Sequence, residues 1–404
     1  MFLCNIAYLI YNMNKNSKII ICFILLALIN LIIICFYNNY KSPLEFQISF
    51  LNVKTAFAID DINNNNDSNF ANKYNAILIN ELNNKDKQLV LAGYFKEAIK
   101  LADHILSLEK NNIRALKYKG IALDNLGNHT GAIQFYDKHL ALVPNDTEVL
   151  VDKGVALDNL DNETGAIQFY DKALVINPND TNALNNKGLA LDKLGNHTGA
   201  IALFTKALVI NPNDTNALNN KGLALDKLGN HTGAIQFYDK HLALVPNDTD
   251  TLYNKGLALD KLGNHTGAIQ FYDKALVINP NDTNALNNKA VDLDKIGRYQ
   301  EALTSFNIAI NHTQPNIDID TLSNKAHVLG IDLKEYDEAL SLINLYLKKN
   351  PEHKGLLCTA TRIFDETNNK GLADYYKEKL NKLDPYYSCA LITKVSTIEK
   401  ESFV

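Results

Sequence analysis

The sequence has little net charge, few cysteines and none of the short motifs that mark common enzyme classes. Its 40 Lys and Arg against 45 Asp and Glu leave a net charge of −5, so no positive field gathers nucleic acid. The five cysteines form no CxxC pair or Cys/His cluster of zinc-ligand spacing. P-loop, GxGxxG, GxSxG and HExxH motifs are also missing. These absences argue against a nucleic-acid partner, a bound metal and a cofactor.

A long apolar run near the N-terminus is present instead. Residues 19–37 carry no charge, and a run of this length predicts a transmembrane helix. Lys15 and Lys18 precede it, which predicts that residues 1–18 are cytoplasmic and that the rest of the chain is extracytoplasmic. A cleaved signal peptide is the alternative, but it would have a shorter apolar stretch with its cleavage site close behind. A single-pass signal anchor is favoured, and both alternatives export the remaining chain.

The segment after the apolar run has no helical or strand period. It includes the polar, low-complexity stretch DDINNNNDSNFANKYN. Such a composition cannot bury enough apolar surface to form a core. Residues 38–78 are therefore predicted to be a flexible, Asn-rich tether between the membrane and the remaining chain.

Beyond this segment the chain repeats itself every 34 residues. The sequence TNALNNKGLALDKLGNHTGAI, for example, occurs identically at 181–201 and 215–235. Two sets of residues are spaced i, i+4 and i+7, the first being Leu184, Gly188 and Leu191 and the second Ala200, Phe204 and Ala207. Each set predicts one amphipathic helix with a small residue that permits close approach. Gly195 and Asn196 are predicted to form the turn between the helices, and Pro212 to end the second.

With these positions and Pro212 in register, the pattern resembles the tetratricopeptide repeat (TPR). The resemblance implies an all-α fold, a right-handed superhelical α-solenoid of helix hairpins, here preceded by one transmembrane helix. About eight repeats are expected over residues 79–385, with well-formed copies over 113–316, and residues 386–404 are expected to cap the end. A departure from the family pattern is the lysine at the seventh position of the repeats, whose stem can cover the core while its amine stays wet.

Asn-x-Thr triplets recur every seventeen residues, which is half a repeat. One interpretation is architectural: the threonines are placed to cap helices, and Asn and Asp tolerate turn geometry. The other is N-glycosylation, which needs an exported chain and exposed loops. Both interpretations stay open for the ten sites, which are Asn128, Asn145, Asn162, Asn179, Asn196, Asn213, Asn230, Asn247, Asn264 and Asn281.

The TPR resemblance also implies where a ligand binds. In the family, first helices line a concave groove, and the sixth position points toward the ligand. A carboxamide there offers a donor and an acceptor to the backbone of an extended peptide. The candidate groove residues are Asn186, Asn220, Asn254, Asn288 and Asn324. Asn185 and Leu189 replace the Lys and Asn pair with which some members clamp a terminal carboxylate.

Two function classes remain once the repeats are assigned, because nearly every other residue belongs to the anchor or tether and no room is left for a catalytic domain. The first is a non-catalytic, membrane-tethered scaffold that binds a peptide or partner protein. The second is an accessory or adaptor subunit of a membrane-bound enzyme or assembly complex. A row of histidines in the turns and a row of aspartates, among them Asp192 and Asp226, are interpreted as solvated polar residues. A disulfide between Cys358 and Cys389 is left open.

Overall fold

The computed structural model describes residues 68–313, 318–387 and 389, with side chains from residue 75 onward. Every regular element in these ranges is a helix. The bounds are α1 Ser68–Leu91, α2 Phe95–Leu108, α3 Ile113–Asn125, α4 His129–Leu142, α5 Thr147–Asp158, α6 Glu163–Ile176, α7 Thr181–Lys193, α8 His197–Ile210, α9 Thr215–Lys227, α10 His231–Leu244, α11 Thr249–Lys261, α12 His265–Ile278, α13 Thr283–Lys295, α14 Tyr299–His312, α15 Ile319–His327, α16 Tyr336–Leu347, α17 Lys354–Glu366 and α18 Lys370–Leu383. The all-α prediction is confirmed for this part of the chain.

The helices form two compact units, one ending at Pro144 and one beginning at Asn145. In the first, Leu78 and Leu82 of α1 are buried with Ala98 and Leu101 of α2. Helix α1 begins at Ser68, so residues 68–78, which the sequence assigned to the tether, are helical. Leu78, at the end of that segment, joins this core, which the polar composition of the segment concealed.

The predicted membrane anchor, residues 19–37, and most of the C-terminal capping segment, 386–404, lie outside the described residues. None of the helices within the described ranges combines the length and apolar character needed to cross a bilayer. The anchor and the capping segment therefore stay predictions.

Each regular repeat is a helix hairpin, and consecutive hairpins pack against one another within the second unit. In the repeat formed by α7 and α8, Gly188 faces the ring of Phe204, and a methyl group added at Gly188 would overlap that ring. Gly195 has a φ of +78° in the turn between the helices, a conformation that favours glycine. The predicted close approach and turn are both confirmed. The result is an array of paired helices typical of a TPR superhelix.

The helix caps differ from the prediction. Asn196 caps α8 by accepting a hydrogen bond from the Gly199 amide, and Asp214 caps α9 by accepting one from the Ala217 amide. The threonines that were expected to cap lie inside the first turn, Thr215 at its first residue. Asn and Asp place an acceptor oxygen as well as Thr does, and here they precede the threonine in the chain. The expectation of threonine caps was wrong.

The seventh repeat, α15 and α16, is interrupted by a π-helical turn at Val328–Asp332. Ala200 follows Gly188 by twelve residues, but the equivalent Ala339 follows Ala326 by thirteen. A single inserted residue in a helix is accommodated as such a turn. The eighth repeat, α17 and α18, is regular, and Cys358 of α17 is bonded to Cys389, with their Cα atoms 5.5 Å apart.

Candidate peptide-binding face

The candidate groove asparagines lie at one position of successive first helices, α7, α9, α11, α13 and α15. The first helices of neighbouring repeats contact each other from α7 to α13, so these residues follow one another along a single face. We call it the first-helix face. All five side chains are half-buried. A half-buried amide is held in place by its surroundings while part of it stays accessible.

Two of the five asparagines already bond to the preceding repeat. Asn288 donates from Nδ2 to the hydroxyl of Tyr253 at 2.7 Å, and Asn324 donates to Oδ1 of Asn287 at 3.3 Å. Burial raises the pKa of Tyr253 to about 12, so its hydroxyl stays protonated at neutral pH. These two asparagines have a structural role.

The other three are Asn186, Asn220 and Asn254. Within the part of the chain that the structure describes, their carboxamides make no hydrogen bond to another side chain or to the backbone. The fifth position of the repeat, which precedes each of these asparagines, differs from the sixth because its asparagines are hydrogen-bonded. Asn185 donates to Asp214 Oδ2 at 2.8 Å, and Asn219 accepts from Thr251 Oγ1 at 3.0 Å. The fifth position therefore ties repeats together, and the sixth is left with its polar atoms available in three consecutive repeats.

Beside this face runs a set of ion pairs that we call the Asp–Lys ladder. In each pair a Lys from one first helix donates to an Asp of the preceding first helix. The pairs are Lys193–Asp158, Lys227–Asp192 and Lys261–Asp226, each at 2.9 Å, and Lys295–Asp260 at 2.6 Å. The aspartate side chains are only 11–18% exposed. The interpretation of this aspartate row as freely solvated was wrong, because each carboxylate has a partner.

The turn histidines join the ladder. His197 Nδ1 lies 2.6 Å from Asp192 Oδ1, and His231 Nδ1 lies 2.6 Å from Asp226 Oδ1. In the next repeat His265 contacts both Asp260 and Asp292, at 3.0 and 2.9 Å. These rings are half-buried and orient the aspartates toward the following lysine. They are structural partners and not the solvated residues that the sequence indicated.

The lysines at the seventh position also have specific partners. Lys153 and Lys255 lie over the rings of Phe169 and Phe271, 4.1 and 3.9 Å from the centroids. Lys255 also pairs with Asp239 of the preceding repeat. The stem covers the core as predicted, but Lys153 and Lys255 are buried, and their amines lie over aromatic rings and not in water.

All ten asparagines of the Asn-x-Thr triplets are exposed. Half of them cap second helices through Oδ1, which leaves Nδ2 outside that bond; these are Asn128, Asn162, Asn196, Asn230 and Asn264. The other half lie in turns between repeats. The architectural interpretation therefore holds for five sites, although the cap is the asparagine itself, and all ten side chains are accessible.

A cluster that no sequence motif indicated lies at the π-helical turn. One oxygen of Asp294, one ring nitrogen of His327 and one oxygen of Asp332 all lie within 4.8 Å of one another. Burial, followed by the charge of Asp332, raises the pKa of Asp294 to about 7, and burial lowers that of His327 to about 4. The three residues come from two repeats and are brought together by one inserted residue, so the repeat pattern of the sequence did not indicate this cluster. The Asp–Lys ladder was missed as well, because its pairs form across repeat boundaries.

The paired helices, the small residues between them and the regular bonds from each repeat to the next define a helical repeat protein. Family models described as tetratricopeptide repeat match residues 249–282, residues 147–180, and residues 92–147, 177–215 and 185–249. The protein is a tetratricopeptide repeat protein, a class that is typically non-catalytic and that binds protein or peptide partners.

Several solved structures are similar to this chain. MamA is 27% identical over 40% of this chain and 94% of its own, with a TM-score of 0.38. YrrB, described as a TPR protein with an unusual peptide-binding site, is 23% identical over 46% of this chain and 97% of its own, with a TM-score of 0.40. A TPR protein from Parabacteroides merdae is 17% identical over 62% of this chain and 98% of its own, with a TM-score of 0.48. No curated protein matches.

Proposed function

We propose that the protein is a non-catalytic scaffold that binds extended polypeptide along the first-helix face, chiefly through the peptide backbone. The observation that carries this proposal is the row formed by Asn186, Asn220 and Asn254. Their carboxamides are held at one position in three consecutive repeats and have no partner among the described residues. Each offers the donor and acceptor that a peptide unit requires.

The spacing of the row suits an extended chain. Packed helices lie roughly 8–10 Å apart, and an extended chain rises about 3.3 Å per residue. One asparagine therefore meets about every third residue of the ligand. Contacts of this kind hold a backbone without requiring a particular side chain, so the ligand class is extended polypeptide with relaxed sequence preference.

Charge recognition contributes less in this proposal. The lysines at the edge of the face are engaged in the Asp–Lys ladder, as Lys227 is with Asp192. Asn185 bonds to Asp214, and Leu189 is partly buried against the core, so the pair of positions that clamps a carboxylate in some TPR proteins is otherwise occupied. A ligand with a free C-terminal carboxylate gains nothing at this site.

The test uses the full chain in detergent and a displayed library of unstructured peptides. Peptides selected on the wild type are measured against the double variant Asn220→Ala, Asn254→Ala. Each lost hydrogen bond is worth about 0.5–1.5 kcal/mol, so binding should weaken roughly tenfold while helical content and melting stay unchanged. N-methylation of the peptide backbone should weaken binding more than alanine substitution of the peptide side chains.

The matched control is Asn179→Ala, Asn213→Ala, which removes two exposed asparagines from turns outside the face. This variant should bind as the wild type does. Undiminished binding by the Asn220/Asn254 variant would remove the asparagine row from the site. Co-purification of one integral membrane protein in equal amount would instead favour the accessory or adaptor subunit.

We also propose that residues 19–37 tether the repeats to a membrane as a single-pass anchor and that the repeats are extracytoplasmic and glycosylated at several of the Asn-x-Thr triplets. Support comes from the exposure of all ten asparagines and from the Cys358–Cys389 disulfide, a bond typical of oxidising compartments. Protease added to intact cells should remove residues 79–404, and a glycosidase should increase gel mobility. Full protection from protease would contradict both the orientation and the glycosylation.

A further inference from the structure

The π-helical turn brings two acidic side chains and one histidine together at the boundary between the sixth and seventh repeats. Asp294 lies at the end of α13, His327 at the end of α15 and Asp332 at the end of the turn. In a π-helical turn, residues five apart are brought into register by the i→i+5 hydrogen bond. His327 and Asp332 are such a pair, and the inserted residue is what places both beside Asp294.

The residue types at these places depart from the repeat. Aligned on Leu286 and Leu322, His327 stands where the preceding repeats have Leu223, Leu257 and Val291. The inserted residue shifts the positions that follow it: Leu333 caps the turn as Ile296 caps α13, and Lys334 has a positive φ as Gly297 has. Asp332 therefore stands where the preceding repeats have Lys227, Lys261 and Lys295. His327 thus replaces an apolar side chain and Asp332 replaces a lysine, and both lie next to the same aspartate. Such replacements cost stability unless the polar groups find a partner.

The histidine has no such partner within the described residues. His327 is 3% exposed, and neither of its ring nitrogens has a hydrogen-bond partner. Its Nε2 lies 3.7 Å from Asp332 Oδ2, which is too far for a hydrogen bond. Oδ1 of Asp294 and Oδ2 of Asp332 are likewise buried without a hydrogen bond. Asp294 and Asp332 satisfy each other only through one hydrogen bond, which needs a proton on one of the two carboxyl groups. Three potential ligand atoms therefore converge, and the imidazole has no hydrogen bond at either nitrogen.

The Asp–Lys ladder explains why this place is open. Asp260, the equivalent of Asp294 in the preceding repeat, receives Lys295 and His265. For Asp294 the corresponding lysine is replaced by Asp332 and the corresponding histidine by Tyr299. The ladder ends at this aspartate, which receives no lysine from the next repeat; Lys295 acts on it only by its charge, because it bonds to Asp260 and Asp292.

We propose that Asp294, His327 and Asp332 form a structural site for a divalent first-row transition metal such as Zn²⁺. One imidazole nitrogen and two carboxylate oxygens are a ligand set that this ion accepts, with water at a remaining position. Asp332 is partly exposed and provides the path of entry. The bound ion joins the sixth repeat to the seventh across the insertion. This inference departs from the sequence, which predicted no metal, and it is independent of the peptide-binding proposal.

A second acidic cluster shows the alternative to a metal. Asp260, His265 and Asp292 also lie close together, but Lys295 donates to both carboxylates, at 2.6 and 3.2 Å. At that cluster the ammonium group of Lys295 supplies the positive charge that a metal ion would otherwise supply. At the proposed site the nearby Lys334 pairs with Glu366, and Arg362 is the remaining positive group that acts on His327 and Asp332. A proton shared by Asp294 and Asp332, with the charges of Arg362 and Lys295 nearby, is the competing explanation.

The experiment titrates the full metal-free chain in detergent with ZnCl₂ by calorimetry and with CoCl₂ by visible absorption. The wild type should bind one ion tightly, and Co²⁺ should show the spectrum of nitrogen and oxygen ligands. Asp332→Asn and Asp294→Asn should each weaken that binding by roughly tenfold or more. Zn²⁺ should raise the melting temperature of the wild type and not that of Asp332→Asn.

The matched control is Asp226→Asn, the same change at the equivalent of Asp294 in a regular repeat, which should bind Zn²⁺ as the wild type does. Circular dichroism checks that each variant keeps its helices. Asp332 is the more exposed of the two carboxylates, so Asp332→Asn decides the question if Asp294→Asn fails to fold. A wild type without saturable binding, or unchanged binding by Asp332→Asn, overturns the proposal and favours a proton shared by Asp294 and Asp332.

Discussion

The repeats at residues 181–282 and the seventh repeat at 319–347 are the same hairpin under different constraints. In the first region, half-buried carboxylates receive a lysine from the next repeat, as Asp192 receives Lys227. In the seventh, the position of the ladder lysine is held by Asp332, and one inserted residue is absorbed as a π-helical turn. The apolar positions Leu218 and Leu322 are equally buried in the two regions. The two regions therefore bury their apolar side chains alike, and they differ in the polar bonds that join one repeat to the next.

The comparison teaches that repetition supplies partners for buried charged side chains as well as for apolar core side chains. An aspartate at 11% exposure is tolerated because every copy brings its own lysine. Where the copy is altered, an acidic group is left in a buried place without that lysine. The N-terminal end has a buried acid at a different position, equivalent to Gly120 of the next repeat: Asp86 of α1 is fully buried, and both of its carboxylate oxygens lack a hydrogen bond among the described residues.

The largest effect is expected from Leu218→Ala, which opens a cavity between regular repeats and should cost roughly 2–5 kcal/mol. Hydrogen exchange is the suitable measurement, because it reports stability along an array helix by helix. Protection should fall on both sides of α9, since each repeat is stabilised by its neighbours. Leu322→Ala, the equivalent change in the seventh repeat, should lower protection mainly from α15 to α18. Equal losses along the whole array after either change would contradict the distinction between the regions.

A second prediction concerns Asp86. Burial raises its pKa to about 8 from a usual value of 3.8, so the folded state holds a proton that the unfolded state releases. Stability should therefore decline as the pH rises from about 4 to about 8, by on the order of a few kcal/mol, because each pH unit between the two pKa values is worth about 1.4 kcal/mol. Asp86→Asn should remove this part of the pH dependence in thermal melts, whereas the exposed Asp103→Asn should not. A wild type whose melting temperature is flat over that range would rule out the unpaired acid.

The smallest effect is expected from a repair within the regular region. Among the described residues Lys221 has no acidic partner, because Thr205 occupies the place that Asp239 holds for Lys255. Burial and the charge of Lys240 lower the pKa of Lys221. Thr205→Asp should raise that pKa and stabilise the protein by about 0.2–1 kcal/mol, as measured by NMR titration of the lysine and by thermal melting. Ala202→Asp on the same helix adds the same charge away from this position and should change neither quantity.

Much of the fold follows from the sequence because its causes are local. Gly188 and Phe204 fix the approach of two helices, and Gly195 fixes their turn, within a single repeat. The ladder escapes such reading because Lys193 meets Asp158 across a repeat boundary. The π-helical turn becomes visible only when Ala326 and Ala339 are aligned with Gly188 and Ala200. The asparagine row was foreseen as a set, but the sequence did not show that Asn288 and Asn324 are already bonded.

The ladder has a consequence for how such an array changes over generations. Identical sequences at 181–201 and 215–235 create identical junctions, so recombination that adds or removes one whole central copy leaves every lysine opposite an aspartate. The number of copies is then free to drift while each junction stays the same. A gain or loss of part of a copy leaves a charge stranded, as at Asp294. Natural variants of this gene are accordingly expected to differ in length by whole multiples of 34 residues within the regular region and to keep the seventh repeat constant.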